Sequence, residues 1–369
     1  MANQPSTYPI LCASFNQDNS YFAVGTKLGF KIFQADTGRL CYEKDIGAFS
    51  IVEMRYSSSL LAIVGAGEQP ALSPRRLCLF NTTTGSPLQE LNFLTSVLAV
   101  RLNKQRLLVL LEDKTFIYDI DSLSILSTID TVPNPKGLCA FSHRPDACFL
   151  ALPASTAKGS VLVYNVMDLQ SHCEIEAHRS PLAAMVLSSD GTYLATASEQ
   201  GTIVRVHTVS EGTKYLSFRR GTYPSTIFSL SFGSSLELPD VLAATSSSGS
   251  LHVFMLDSAI NQRSKTSGSF IGSIIPGSIS DVLDPAHHHV LHKAVPEGVR
   301  SYAVIRKATK VVDNSTSQVL SFRAVISIIS YNGYFQEYIL SINHKNEAAW
   351  SLDCEYSLLT AIPDTNPAS

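Results

Sequence analysis

His178-Arg179-Ser180-Pro181-Leu182, Ser189-Asp190-Gly191, Leu194-Ala195-Thr196-Ala197-Ser198 and Gly201-Thr202-Ile203 follow one another along a single stretch of the chain. They read as an apolar strand, a turn, a strand of small residues, a glycine turn and a β-branched strand that ends at His207. The same unit recurs outward in both directions, at about residues 10–45, 51–91, 93–130, 137–176, 182–216, 226–257 and 302–345. Seven units near a period of ~40–45 residues predict a propeller built from four-stranded blades. The Trp-Asp ending common to such blades is missing, and the single Trp350 lies near the C-terminus, so the repeat is degenerate. A large β-sandwich, or two small β-domains, would also be all-β but does not call for seven evenly sized units.

The strand-like runs support this all-β reading, and helical periodicity is nearly absent. Tyr21–Val24, Leu60–Val64, Leu107–Leu111, Val161–Asn165 and Leu251–Leu256 are short and apolar, and pairs such as Thr37-Gly38, Thr84-Gly85, Asp190-Gly191 and Ser248-Gly249 separate them. The whole chain, 1–369, is expected to be one seven-bladed β-propeller, with 346–369 as a C-terminal extension. Residues 257–300 break the rhythm. They are rich in Gly, Ser and Pro and carry no clear strand, so a long flexible loop is expected in the sixth blade. Arg263 and Lys265 precede Phe270, Ile271, Ile274 and Ile275 there, a pattern that suits insertion into a membrane. The run His287-His288-His289 with His292 could suggest zinc. Contiguous histidines cannot all converge on one tetrahedral ion, so a solvated loop is expected and no metal is assigned.

Composition limits the function classes. The 369 residues are 45% hydrophobic and 16% charged, with a net charge of −3. A broad basic footprint for nucleic acid is absent, so any anion site must be local. The seven cysteines are odd in number, scattered and without a Cys-x-x-Cys pair, as expected of buried reduced thiols in a cytosolic protein. The start, Met1-Ala2, carries neither a signal-peptide pattern nor a myristoylation site. No run of 18 apolar residues occurs, so contact with a membrane would be peripheral. There is no Gly-x-Ser-x-Gly elbow, Walker A loop or dinucleotide fingerprint, and Asp190, His178 and Ser198 are accounted for by blade turns. An enzyme is not expected, nor is a cofactor.

One local anion site stands out. In Phe218-Arg219-Arg220-Gly221 two arginines adjoin between strand-rich segments. Neighbouring residues of an extended segment point to opposite faces, so the pair suits two separate anion sites better than one. Guanidinium forks bind phosphate through charge-assisted, often bidentate hydrogen bonds. Two solvated surface arginines would give the same text.

With its flanking blades, this motif resembles the PROPPINs, seven-bladed propellers that bind polyphosphoinositides and include the WIPI proteins of autophagy. The resemblance covers about residues 10–345. Asn134-Pro135-Lys136-Gly137-Leu138, Ser73-Pro74-Arg75-Arg76 and Asn92–Arg106 also look like family segments. It implies one lipid site of His178, Thr196, Ser198, Gly201, Thr202, Arg205 and Arg219, with His178 placed in the same blade. It implies a second of Arg220, Gly221, Ser246, Ser250 and His252. Glycines 201 and 221 would let a phosphate approach closely. Each hydroxyl could equally be an ordinary strand or turn residue, and His252 a plain strand residue. Ser250 departs from the family's usual Thr but keeps the hydroxyl. Asn332–Glu337 departs from a more basic family stretch, leaving the seventh blade's role open.

The resemblance further implies phosphatidylinositol 3-phosphate and 3,5-bisphosphate as ligands and a role in autophagosome formation. The expected locations are the cytoplasm and pre-autophagosomal, endosomal or vacuolar membranes. Autophagy proteins are the expected partners, with Pro74 and Arg75 resembling a docking site for a lipid-transfer protein. A monomer is expected. Arg101, Lys104 and Arg106 form a basic hairpin for which an acidic peptide and solvent are both possible partners. A purely protein-binding WD-repeat scaffold is the alternative to lipid recognition.

Overall fold

The computed structural model describes residues 8–144, 147–233, 241–256, 288–312 and 319–360. Among these, 28 strands form seven four-stranded antiparallel sheets, each with its strands in chain order. Blade one is β1 (Ile10–Phe15), β2 (Tyr21–Thr26), β3 (Phe30–Gln34) and β4 (Leu40–Lys44). Blade two is β5 (Phe49–Met54), β6 (Leu60–Gly65), β7 (Arg76–Asn81) and β8 (Ser86–Asn92). Blade three is β9 (Ala99–Leu102), β10 (Arg106–Leu110), β11 (Lys114–Asp119) and β12 (Ile125–Asp130). Blade four is β13 (Ala140–Phe141), β14 (Phe149–Pro153), β15 (Gly159–Asn165) and β16 (Gln170–His178). Blade five is β17 (Leu182–Leu187), β18 (Tyr193–Ser198), β19 (Ile203–Thr208) and β20 (Lys214–Arg219). Blade six is β21 (Ile227–Phe232), β22 (Val241–Ser246), β23 (Leu251–Met255) and β24 (His288–Leu291). Blade seven is β25 (Ser301–Val312), β26 (Val319–Ser330), β27 (Tyr334–Asn343) and β28 (Ala348–Ser357). The predicted seven-bladed β-propeller is the observed fold.

The inner strands read as continuous apolar runs because each blade is covered on both faces by its neighbours. In β18 the small side chains of Ala195, Thr196 and Ala197 are all fully buried. The core is correspondingly divided into seven apolar clusters, each drawn from two adjacent blades. Among the described residues all four strands of blade seven come from the C-terminal part of the chain, and blades seven and one are joined by one backbone hydrogen bond, Ile10 N to Tyr331 O at 3.3 Å, and by side chains. Phe22 of β2 stacks on Phe33 at 5.1 Å and on Phe335 of β27 at 5.0 Å, and Phe335 stacks on Tyr356 at 4.8 Å. Beside them, Arg306 of β25 pairs with Glu337 of β27 and with Asp36 of blade one, and its Nε donates to Ser327 Oγ at 2.8 Å.

Two stretches differ from the sequence reading. The segment 346–369, expected as an extension, contains β28, the outer strand of blade seven. The region 257–300 contains β24, so blade six takes its fourth strand from the histidine run, and His289 is buried rather than solvated. The sequence hides this strand because His288-His289-Val290-Leu291 lacks the alternation of a half-buried strand. Phe270, Ile271, Ile274 and Ile275 lie outside the described residues. Among the described residues no helix is long and apolar enough to cross a membrane, which leaves β-barrels unaddressed. All seven cysteines are free, with Cys139 and Cys148 buried, four partly buried and Cys41 exposed.

Candidate functional site

The arginine pair sits where β20 ends. Ile203 pairs with Arg219 in register, so Arg219 is the last laddered residue and Arg220 the first of the following loop. That loop is bound to the β18–β19 turn. Arg220 N donates to Thr202 O at 2.8 Å, and Ser225 N donates to Gln200 O at 3.2 Å. The two side chains differ in their surroundings. Arg219 is exposed. Arg220 is half-buried; its Nε donates to Gly201 O at 2.6 Å and a terminal nitrogen donates to Tyr223 O. Burial lowers the Arg220 pKa, but a guanidinium does not deprotonate in proteins, so it stays a cation.

On the Arg220 side a pocket of about 490 Å³ opens between blades five and six. Its walls include Arg220, Gly221, Tyr223, Ser250, His252 and His292. Four of the five residues expected for the second site therefore share one pocket. Ser246 does not line it: it is buried, with its hydroxyl 2.9 Å from that of Ser248. Ser247 and Ser248 stand in the pocket wall instead. Tyr223, 83% exposed, and His292 were not legible as members, because a loop aromatic and a histidine 40 residues from His252 carry no local signal.

The other group is built around a buried hydrogen-bond chain. His178 closes β16, so it belongs to blade four rather than to the blade of Thr196. Its ring reaches across the blade boundary, Nε2 lying 3.0 Å from Thr196 Oγ1, while Arg205 donates to Ala177 O. Burial, with the Arg205 cation second, pulls the His178 pKa down to about 4, so the ring is neutral at pH 7. Thr196 and Ser198 are 0% and 6% exposed and Gly201 is buried as well, which leaves the exposed Arg219 and the partly exposed Thr202 as the open part of the group. Gly201 has φ +61, and a Cβ there would lie 1.7 Å from Ser225 O. Its glycine is thus required by the chain's own packing, whatever binds. At Gly221 a Cβ would meet nothing within 4 Å, so only an incoming group would exclude it.

The remaining expectations divide. Pro74 O accepts from Val97 N at 2.8 Å, which fastens blade two to blade three, and Arg75 is exposed beside it. Leu94, 93% exposed, projects from the same connection. The hairpin of Arg101, Lys104 and Arg106 is not a free basic face. Arg101 turns inward to Glu53 at 2.7 Å, Arg106 pairs with Asp119 at 3.7 Å, and Lys104 lies over the Tyr56 ring. A polar cavity of about 300 Å³ on the axis holds the Arg101–Glu53 pair.

A family model described as PROPPIN matches residues 9–282. The chain belongs to the PROPPIN family. Autophagy-related protein 18b of Arabidopsis thaliana is 68% identical to this PROPPIN over 362 residues, 98% of this chain and 99% of that protein. Among solved structures, Kluyveromyces lactis Hsv2 matches with a TM-score of 0.72 at 18% identity, covering 95% of this chain and all of that one. A structure titled as a complex of KlAtg21 with the coiled-coil of AgAtg16 matches at 0.67 and 22% identity, covering 94% and 98%. These two likenesses bear on the fold. The sequence relationship makes the chain an autophagy-related propeller.

Proposed function

We propose that this PROPPIN is a non-catalytic peripheral membrane adaptor that reads phosphatidylinositol 3-phosphate and 3,5-bisphosphate through two sites, one on each side of Arg219-Arg220. The observation that carries the reading is the pocket joining Arg220, Gly221, Ser250 and His252, with Arg219 exposed at the same strand end. A cationic fork, hydroxyls and an unobstructed glycine are the donor set that a phosphate monoester needs. Each site is shallow and weak alone; two on one bilayer plane gain from effective concentration. Phe270, Ile271, Ile274 and Ile275 would add apolar insertion. The adaptor would hand the membrane to autophagy proteins, with the exposed Arg75 and Leu94 beside Pro74 as the docking face.

Co-sedimentation with liposomes of matched charge tests this. Vesicles carrying either 3-phosphorylated lipid should retain the protein, and vesicles carrying the same charge as phosphatidylserine should not. Equal retention by both would reduce the site to generic electrostatics. A protein-only scaffold is the second reading, favoured by the exposed Leu94. It predicts no retention on any of these vesicles.

A further inference from the structure

His292 stands in the wall of the Arg220 pocket, and His288 touches His252 of that wall. His252 of β23 pairs with Val290 and His288 of β24 with Phe254, so the two histidines are diagonal neighbours across the strands; His252 Nδ1 lies 2.9 Å from His288 Nε2, and both rings stack with Phe254. One proton serves that contact, so one ring donates and the other accepts. The second nitrogen of His252, Nε2, is buried and has no hydrogen-bond partner. His292 stands at the mouth, its Nδ1 3.5 Å from Ser250 Oγ. Among the described residues, Arg220 at the end of β20 acts on both rings, His292 on His252 and His289 on His288, and Glu297, beyond β24, lies in the pocket wall.

We propose that the His252–His288 pair takes up a proton when a phosphate monoester enters this pocket, so that binding at the second site is coupled to pH. This rests on the reading of the pocket as a phosphate site. The proton comes from solvent onto an imidazole nitrogen; no covalent bond forms or breaks. The resulting imidazolium keeps the His–His hydrogen bond, now charge-assisted, and supplies an N–H at the buried nitrogen that lacks a partner. In the empty pocket the pair stays neutral. Burial first, then each ring's charged and titratable neighbours, Arg220 among them, pull His252 down to about 3 and His288 to about 4. A phosphate reverses the balance. One negative charge about 4 Å away, screened as near a protein surface, shifts a protonation equilibrium roughly a thousandfold, and a dianion acts in the same direction more strongly.

The test is calorimetric titration of soluble inositol 1,3,5-trisphosphate into the Arg219→Thr chain, which isolates the second pocket. Runs near pH 7 in two buffers of different ionisation heat count the protons. The expected result is uptake of half a proton or more per head group, with binding tightening about threefold or more per pH unit between pH 8 and pH 6.5. His288→Gln should abolish that uptake, whereas His292→Gln, on an exposed ring, should weaken binding and keep it. The ligand's own titration is common to all variants, so the difference between them is the readout. Unchanged uptake in His288→Gln chain that melts like its parent overturns the proposal, and so does uptake lost only in His292→Gln. If His288→Gln fails to fold, the absence of uptake in the parent would still overturn it. Failure of the head group to bind at any pH would overturn the reading of the pocket itself.

Discussion

Replacing Arg306 tests how the ring is closed. Blades seven and one meet without a shared strand, and Arg306 contacts Asp36, Glu337 and Ser327 there. The side chains of Arg306 and Glu337 are 10% and 9% exposed, whereas that of Asp36 is 72% exposed. Arg306→Met fills similar space but leaves the Glu337 carboxylate buried with only the Ser327 hydroxyl donating to it, at 3.1 Å. Stranding one partner of a buried ion pair costs about 3–5 kcal/mol. The Asp36 contact lies in water, where such pairs are worth roughly 0–1 kcal/mol. Urea unfolding followed by fluorescence and circular dichroism should therefore rank Arg306→Met far below Asp36→Asn. Adding Glu337→Gln to Arg306→Met should recover much of the loss, because the orphaned charge is removed. Equal effects of Arg306→Met and Asp36→Asn, or no recovery in the double variant, would refute closure by a buried pair.

Acid should loosen the fold through its buried histidines. The pKa values of His178 and His207 are pulled to about 4 and that of His252 to about 3, in each case chiefly by burial, from an ordinary value of 6.5. Below about pH 6.5 the unfolded chain binds protons that the folded chain refuses, so stability is flat above that pH and falls beneath it. Each ring should cost about 2 kcal/mol by pH 5, and a melting temperature unchanged from pH 7 to pH 5 would contradict this. At the two glycines, Gly201→Ala should lower the melting temperature, because a Cβ meets Ser225 O at 1.7 Å, whereas Gly221→Ala should not. Any loss of liposome binding by Gly221→Ala would then report on the ligand; a large loss of stability would contradict the open space. A thiol reagent should label Cys41 first in the native protein, while burial pushes the Cys12 thiol up to about 12 and those of Cys78 and Cys148 to about 11. All seven should react in denaturant, and rapid native labelling of Cys12 would be inconsistent with the packing.

The blade repeat was legible because turn pairs and apolar runs are local signals. The unit at 178–203 alone contains β17, β18 and the turn to β19. Strands β24 and β28 escaped for a physical reason: both are outer strands with a weak apolar pattern, held by pairing to β23 and β27 rather than by their own alternation. The site was half legible. Arg219 and Arg220 were readable as an adjoining cationic pair where a strand-rich segment ends, but the blade assignment of His178 was not. That residue closes one blade and reaches the next, and only the register of β15 with β16 reveals it. Arg101 was misread as surface charge because nothing local indicates that its partner is Glu53, one blade away. His292 and Tyr223 enter the pocket from separate loops, a convergence that only the closed ring produces.

Two phosphoinositide sites are proposed to flank Arg219-Arg220. Binding of the Arg219→Thr, Arg220→Thr and double variants to liposomes containing phosphatidylinositol 3-phosphate or 3,5-bisphosphate tests this most directly. Circular dichroism and melting provide the folding control, since Arg220 gives up only half-exposed bonds to Gly201 O and Tyr223 O, worth about 1 kcal/mol each. Each single variant should keep partial binding, and the folded double variant should keep none. A double variant that binds like the parent would contradict lipid recognition at this motif, and complete loss in Arg219→Thr with no effect of Arg220→Thr would contradict the two sites.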